Sequence, residues 1–108
     1  MNVAETILHQ LGGGRFVAMT GVHNLCSHEN TLSMSLPRNK SRANQLHIQY
    51  TPNDFYTMKF IYYRPPRLEK ESLILVPEEL AYIAVYEGIY CDQLCDLFTA
   101  VTGLYTSL

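Results

Sequence analysis

Apolar residues recur at helical spacing near both ends of this chain and alternate with polar ones through its middle. At the start, Val3, Ile7, Leu8 and Leu11 fall three and four positions apart, which gathers them on one side of a helix. Asn2 ahead of them, with Glu5 three positions on, has the residue types of an N-terminal cap, and Gly12 supplies the stop. Phe16 to Met19 is a short continuous apolar run, which predicts a strand covered on both faces and central in its sheet, ended by Gly21. Thr31 to Leu36 alternates strictly, with Leu32, Met34 and Leu36 inward and hydroxyl residues outward, until Pro37 stops the strand. Gln45 to Tyr50 repeats the alternation. Thr51-Pro52-Asn53-Asp54 then makes a tight turn into a second hairpin arm, Phe55 to Tyr63. That arm carries Tyr56, Met58, Phe60 and Tyr62 on one face and Thr57 and Lys59 on the other.

Pro65-Pro66 takes the chain out of the sheet. Residues 72–87 read two ways. Pro77-Glu78-Glu79 resembles a first helical turn, with Leu80, Ile83 and Ala84 on one side, yet Leu80 to Tyr86 equally suits a strand. Tyr90, Leu94, Leu97, Phe98 and Val101 return to helical spacing, with Gly103 as the cap. The assembly these elements predict is α+β: an antiparallel β-meander of three to four strands, with N- and C-terminal helices packed on one face. The other face stays polar and carries Ser33, Ser35, His47, Gln49, Thr57 and Lys59 beside the loop 37–43.

With 108 residues, no internal repeat and no long linker, the whole of 1–108 reads as one domain. A hydrophobic fraction of 47% and a charged fraction of 17% suit a globular protein, and no stretch reaches the ~20 apolar residues that cross a membrane. No secretory signal opens the chain, and three cysteines make a poor disulfide framework, so a cytoplasmic setting with inert thiols is expected. The net charge of −2 hides two poles. Residues 31–70 hold Arg38, Lys40, Arg42, Lys59, Arg64, Arg67 and Lys70 against Asp54 and Glu69, whereas residues 71–108 hold six carboxylates and no Lys or Arg.

Candidate chemistry is sparse. Gly12-Gly13-Gly14-Arg15 lacks the lysine and hydroxyl of a phosphate loop and does not follow a strand. His23, Cys26 and His28, even with Cys91 and Cys95 as further donors, do not match a zinc spacing, so no metal and no cofactor are expected. Asp92 and Asp96 share a helix face, as solvated carboxylates do. There is no Gly-x-Ser-x-Gly elbow and no cysteine with an identifiable histidine partner, and His47 is a single imidazole in a strand. A binding protein without catalytic activity is the expectation. Arg38, Lys40 and Arg42, spaced by small polar residues, suit contact with phosphates or an acidic protein surface, and His47 and Lys59 extend that partner-binding surface over the polar sheet face. The charge poles also allow a homodimer, for which Leu104, Tyr105 and Leu108 are the nominated apolar contact.

Met19-Thr20-Gly21 with Asn24, Leu36-Pro37-Arg38-Asn39-Lys40, Asp54-Phe55-Tyr56, Gly88-Ile89-Tyr90-Cys91-Asp92-Gln93-Leu94 and the ending Val101 to Leu108 together carry a resemblance. Over most of its length the chain resembles a family of small proteins encoded by phages and prophages, with His23 standing where the family pattern has lysine. That family has no established activity, so the resemblance implies no catalytic or binding residue. It does imply a phage setting, in which small accessory proteins bind a host component. The expectations that follow are binding and inhibition of a host defence effector, for example as an anti-CRISPR, or alternatively binding of a nucleic acid or nucleotide.

Overall fold

A computed structural model describes residues 2–106. The first helix, α1, spans Val3–Leu11, and the Asn2 side chain accepts a hydrogen bond from the Glu5 N–H at 2.8 Å, as the cap pattern requires. A second helix, α2, spans Gly14–Thr20 and ends on Gly21 in the left-handed conformation at φ 77°. This corrects the expectation of a central strand at Phe16–Met19. Phe16 and Thr20 lie one helical turn apart and are both buried, and the Thr20 hydroxyl donates back to the Phe16 carbonyl at 2.7 Å.

The sheet follows. Strands β1 (His23–His28), β2 (Thr31–Ser35), β3 (Gln45–Tyr50) and β4 (Tyr56–Arg64) pair in order as an antiparallel meander. A small hairpin of β5 (Arg67–Leu68) and β6 (Leu75–Val76) intervenes, and β7 (Glu79–Ile89) then pairs with β4 as the fifth strand and an outer edge. Residues 79–89 are therefore strand, which settles the ambiguous stretch. A 3-10 turn at Cys91–Gln93 leads into α3 (Leu94–Thr102), capped by Gly103 at φ 77°. The described residues thus form a mixed α+β fold with helices near both ends and a five-stranded antiparallel sheet.

Alternation on β2, β3 and β4 sends Leu32, Met34, Leu46, Ile48, Met58 and Phe60 to one face, where all are buried. Ile7 and Leu11 from α1, Phe16 from α2, and Leu94 and Phe98 from α3 fill the same core, and Phe16 meets Phe98 edge to face with ring centroids 5.0 Å apart. The turn predicted at 51–54 closes as expected. The Thr51 N–H donates to the Phe55 carbonyl at 2.8 Å and the Asp54 N–H to the Thr51 carbonyl at 3.1 Å.

At its far end the sheet narrows. The ladder between β3 and β4 stops at Gln45 and Ile61, whereas β4 runs on to pair Tyr62 with Ala81, Tyr63 with Leu80 and Arg64 with Glu79. Continued by β5 and β6, this ribbon gives a radius of gyration of 15.1 Å and extents of 49 × 32 × 23 Å. A compact chain of this length has a radius near ~13 Å, so the ribbon projects as an arm.

Candidate functional site

Three surfaces stand out. The first is the loop between β2 and β3. Its frame is the Asn39 side chain, whose Nδ2 donates to the carbonyls of Pro37 and Ala43, both at 2.8 Å, while its Oδ1 accepts from the Ser41 N–H at 2.9 Å and from the Ser41 hydroxyl. The loop is tied down beyond itself as well. The Lys40 N–H donates to the Thr102 carbonyl at the end of α3 (3.1 Å), and the Asn44 N–H to the Ile61 carbonyl of β4 (2.9 Å). Arg38, Lys40 and Arg42 project from this frame, all exposed, around a concavity of about 400 Å³. Three of the five expected partner-binding residues are thus brought to one place.

His47 and Lys59 form a second group. They are direct cross-strand neighbours on the face away from the core, in a row that runs Ser33, His47, Lys59, Val85 across four strands. Both are half-buried. Burial, and then the Lys59 ammonium beside it, hold the His47 imidazole below its ordinary value of 6.5. The expected polar face is therefore real over β2 and β3, but it changes character towards the edge. Ile61 is buried there, and Tyr82, Leu80 and Val85 stand on the same face opposite Ile61, Tyr63 and Lys59.

That change leads to the third surface, the arm together with the length of β7 that adjoins it. Between residues 68 and 86, Leu68, Leu73, Ile74, Leu75, Leu80, Tyr82, Ile83, Val85 and Tyr86 are large apolar side chains left open to solvent, Leu73 and Leu75 by 75% and 70%. Single exposed apolar side chains are normal, but these nine form an extended apolar surface along the arm and the adjoining length of β7. Among the described residues, the outer edge of β7 adds a row of backbone groups with no sheet neighbour. The sequence reading nominated no residue here. The signal it held was an apolar run, Leu80 to Tyr86, with no alternation to say which side faces a core.

A further concavity of about 480 Å³ lies between α1 and the β3–β4 hairpin, lined in part by Thr6, Gln10, Tyr50, Asp54, Tyr56 and Cys91. Its phenols are occupied. The Tyr56 hydroxyl donates to Gln10 Oε1 at 2.8 Å, and the Tyr50 hydroxyl donates to the Asp54 carboxylate. That hydrogen bond raises the Tyr50 phenol above its ordinary value, and burial does the same for Tyr56, so neither is primed as a base. Cys26 and Cys91 are exposed free thiols and Cys95 is half-buried. Among the described residues no three His, Cys, Asp or Glu side chains gather where a metal ion could be held. Of the nominated dimer contact, Leu104 packs against the core, Tyr105 is 70% exposed and Leu108 lies outside the described residues.

No helix among the described residues is long and apolar enough to cross a membrane. Comparison of the chain with protein-family models, with curated proteins and with solved structures finds no match.

Proposed function

We propose that this protein acts by binding another protein through its arm, and that in the phage setting implied by the motif resemblance the bound protein is a host defence effector, such as a CRISPR nuclease, which it inhibits. The observation that carries the reading is the set of nine exposed apolar side chains along the arm and the adjoining length of β7, beside the open edge of that strand. An edge strand with apolar neighbours accepts an added strand, whose backbone supplies the missing hydrogen bonds while alternate side chains cover the apolar face. Charge narrows the chemistry of that strand. Glu71, Glu78, Glu79 and Glu87 flank the surface and residues 71–106 carry no Lys or Arg, so the complementary segment is apolar with Lys or Arg at its ends. A second copy of β7 would instead set glutamates near glutamates.

The test is capture of the partner from host cells, paired with a variant that blocks the edge. Lysines in place of Tyr82 and Val85, both exposed, put charge where a strand must dock. The expected result is one stoichiometric partner, identified by mass spectrometry, held by the parent protein and by an Arg38→Gln/Lys40→Gln/Arg42→Gln variant but lost by Tyr82→Lys/Val85→Lys. Equal capture by the edge variant would overturn the reading.

A further inference from the structure

We propose that the β2–β3 loop is a phosphate-binding site, with Arg38, Lys40 and Arg42 as its ligands, that takes the phosphates of a nucleotide or of a single nucleic-acid strand. Three cations within five residues repel one another, and the concavity they surround has no Asp or Glu in its lining among the described residues. An uncompensated positive potential of this kind favours a ligand carrying more than one negative charge. Guanidinium forks grip phosphate oxygens two at a time and an ammonium adds a point charge, so two Arg and one Lys suit phosphate chemistry.

The backbone of the loop and the stem of Lys40 are held in place before a ligand arrives. Beyond the four bonds made by the Asn39 side chain, the Leu36 N–H donates to the Asn44 carbonyl at 2.9 Å, and Ala43 is buried as an anchor. Lys40 is fixed twice. Its N–H is bonded to Thr102, and its aliphatic stem lies across Gly103, where a Cβ would come within 3.3 Å of Lys40 Cδ. Arg42 sits at φ 69°, a left-handed conformation uncommon for a residue with a side chain and held here by the surrounding loop. The backbone N–H groups of residues 40 to 44 are already spent on loop bonds, at Thr102, Asn39 and Ser41 and on to Ile61. Ligand contact therefore falls mainly to the three side chains, and the site reads charge and shape rather than base identity. At about 400 Å³ the concavity has room for more than a bare phosphate, and its open mouth lets a strand run on past it.

The experiment measures fluorescence anisotropy of two probes on the full chain: a labelled single-stranded DNA of about 15 nucleotides and a labelled ATP, each titrated in ~50 mM and ~200 mM salt. The expected result is binding that weakens with salt, with a slope of about −2 in log K against log salt for the DNA, the value for three neutralised phosphates of a single strand. Arg38→Gln/Lys40→Gln/Arg42→Gln should lower affinity at least tenfold and flatten that slope. Asn39→Ala, which keeps every charge but removes the frame, should lower affinity as well, and Arg15→Gln, at an exposed cation of α2 outside the concavity, should leave it unchanged. Tighter binding of the DNA assigns the site to a strand, and equal or tighter binding of ATP assigns it to a nucleotide. No binding of either probe at ~50 mM salt, or binding that survives the triple substitution, overturns the proposal. Circular dichroism on each variant separates loss of binding from loss of fold.

Discussion

Phe60 and Tyr86 meet edge to face with ring centroids 6.2 Å apart, one completely buried and the other 36% exposed. The core of the protein ends between them. Phe60 lies in the buried stretch of β4, and Tyr86 stands on the neighbouring edge strand β7, whose side chains are mostly in solvent.

The boundary makes a first prediction. Phe60→Ala should cost about 3–5 kcal/mol, since it empties a filled site, whereas Tyr86→Ala should cost less than about 1.5 kcal/mol. Urea unfolding of the two variants checks this. Costs of similar size would place β7 inside the core instead.

The glycines around α2 separate two backbone effects. Gly21 caps the helix at φ 77°, and a Cβ there would sit 3.4 Å from Pro37 Cγ, so Gly21→Ala should destabilise by about 1–2 kcal/mol. Gly14 is the first residue of the same helix and has open space where its Cβ would stand. Gly14→Ala should therefore stabilise by about 0.4–1 kcal/mol, mainly by restricting the unfolded chain. Thermal melts should move in opposite directions, and a shift of the same sign in both would contradict the assignment of residues 14–20 as helix.

Stability should also depend on pH through His47. Because burial and Lys59 hold its folded-state value below 6.5, the unfolded chain takes up this proton first. The contribution is complete above 6.5 and is lost as pH falls from there through the lowered folded value. Urea midpoints measured from about pH 7.5 down to about pH 5 should fall, with His47→Gln flattening the slope. An unchanged slope in that variant would remove His47 from the account.

Thiol reactivity reports the packing of α3. Cys26 and Cys91 are exposed, whereas Cys95 is half-buried and its thiol donates to the Leu11 carbonyl of α1 at 3.2 Å. Under limiting iodoacetamide, peptide mass spectrometry should find Cys26 and Cys91 alkylated well before Cys95. Simultaneous labelling of all three would mean that α3 does not stay docked on α1.

Elements that bury one side were legible in the sequence. Leu32, Met34, Leu46 and Ile48 alternate because one sheet face is covered, and Leu94 and Phe98 recur at helical spacing because one stripe of α3 is. Phe16–Met19 misled because four apolar residues in a row fit a strand and a helix alike. Only the burial of Phe16 and Thr20, one turn apart, separates them. Strand β1 was hidden for a different reason. His23–His28 is almost wholly exposed and joins the sheet by pairing its backbone to β2, which leaves no hydrophobic period to detect. In β7 the same exposure on both faces removed the cue that tells strand from helix.

The candidate site divides the same way. Arg38, Lys40 and Arg42 could be picked out by residue type, but their convergence depends on Asn39 bonding across its own loop and on Lys40 reaching Thr102, sixty-two positions away. Contacts of that separation leave no local trace. His47 and Lys59 were placed on the right face by alternation alone, and the apolar side chains that adjoin them on β7 could be added only once the register with β4 was fixed.

The position of α3 bears on how the protein is made. Leu94 and Phe98 are fully buried among residues of α1, α2 and the sheet, yet the ribosome delivers them after every strand has been synthesised. A nascent chain that has completed the meander still lacks the wedge between its helices and presents Phe16, Leu46 and Phe60 to whatever is nearby. Until α3 docks, that surface stays uncovered, so completion of the core waits on a single short helix.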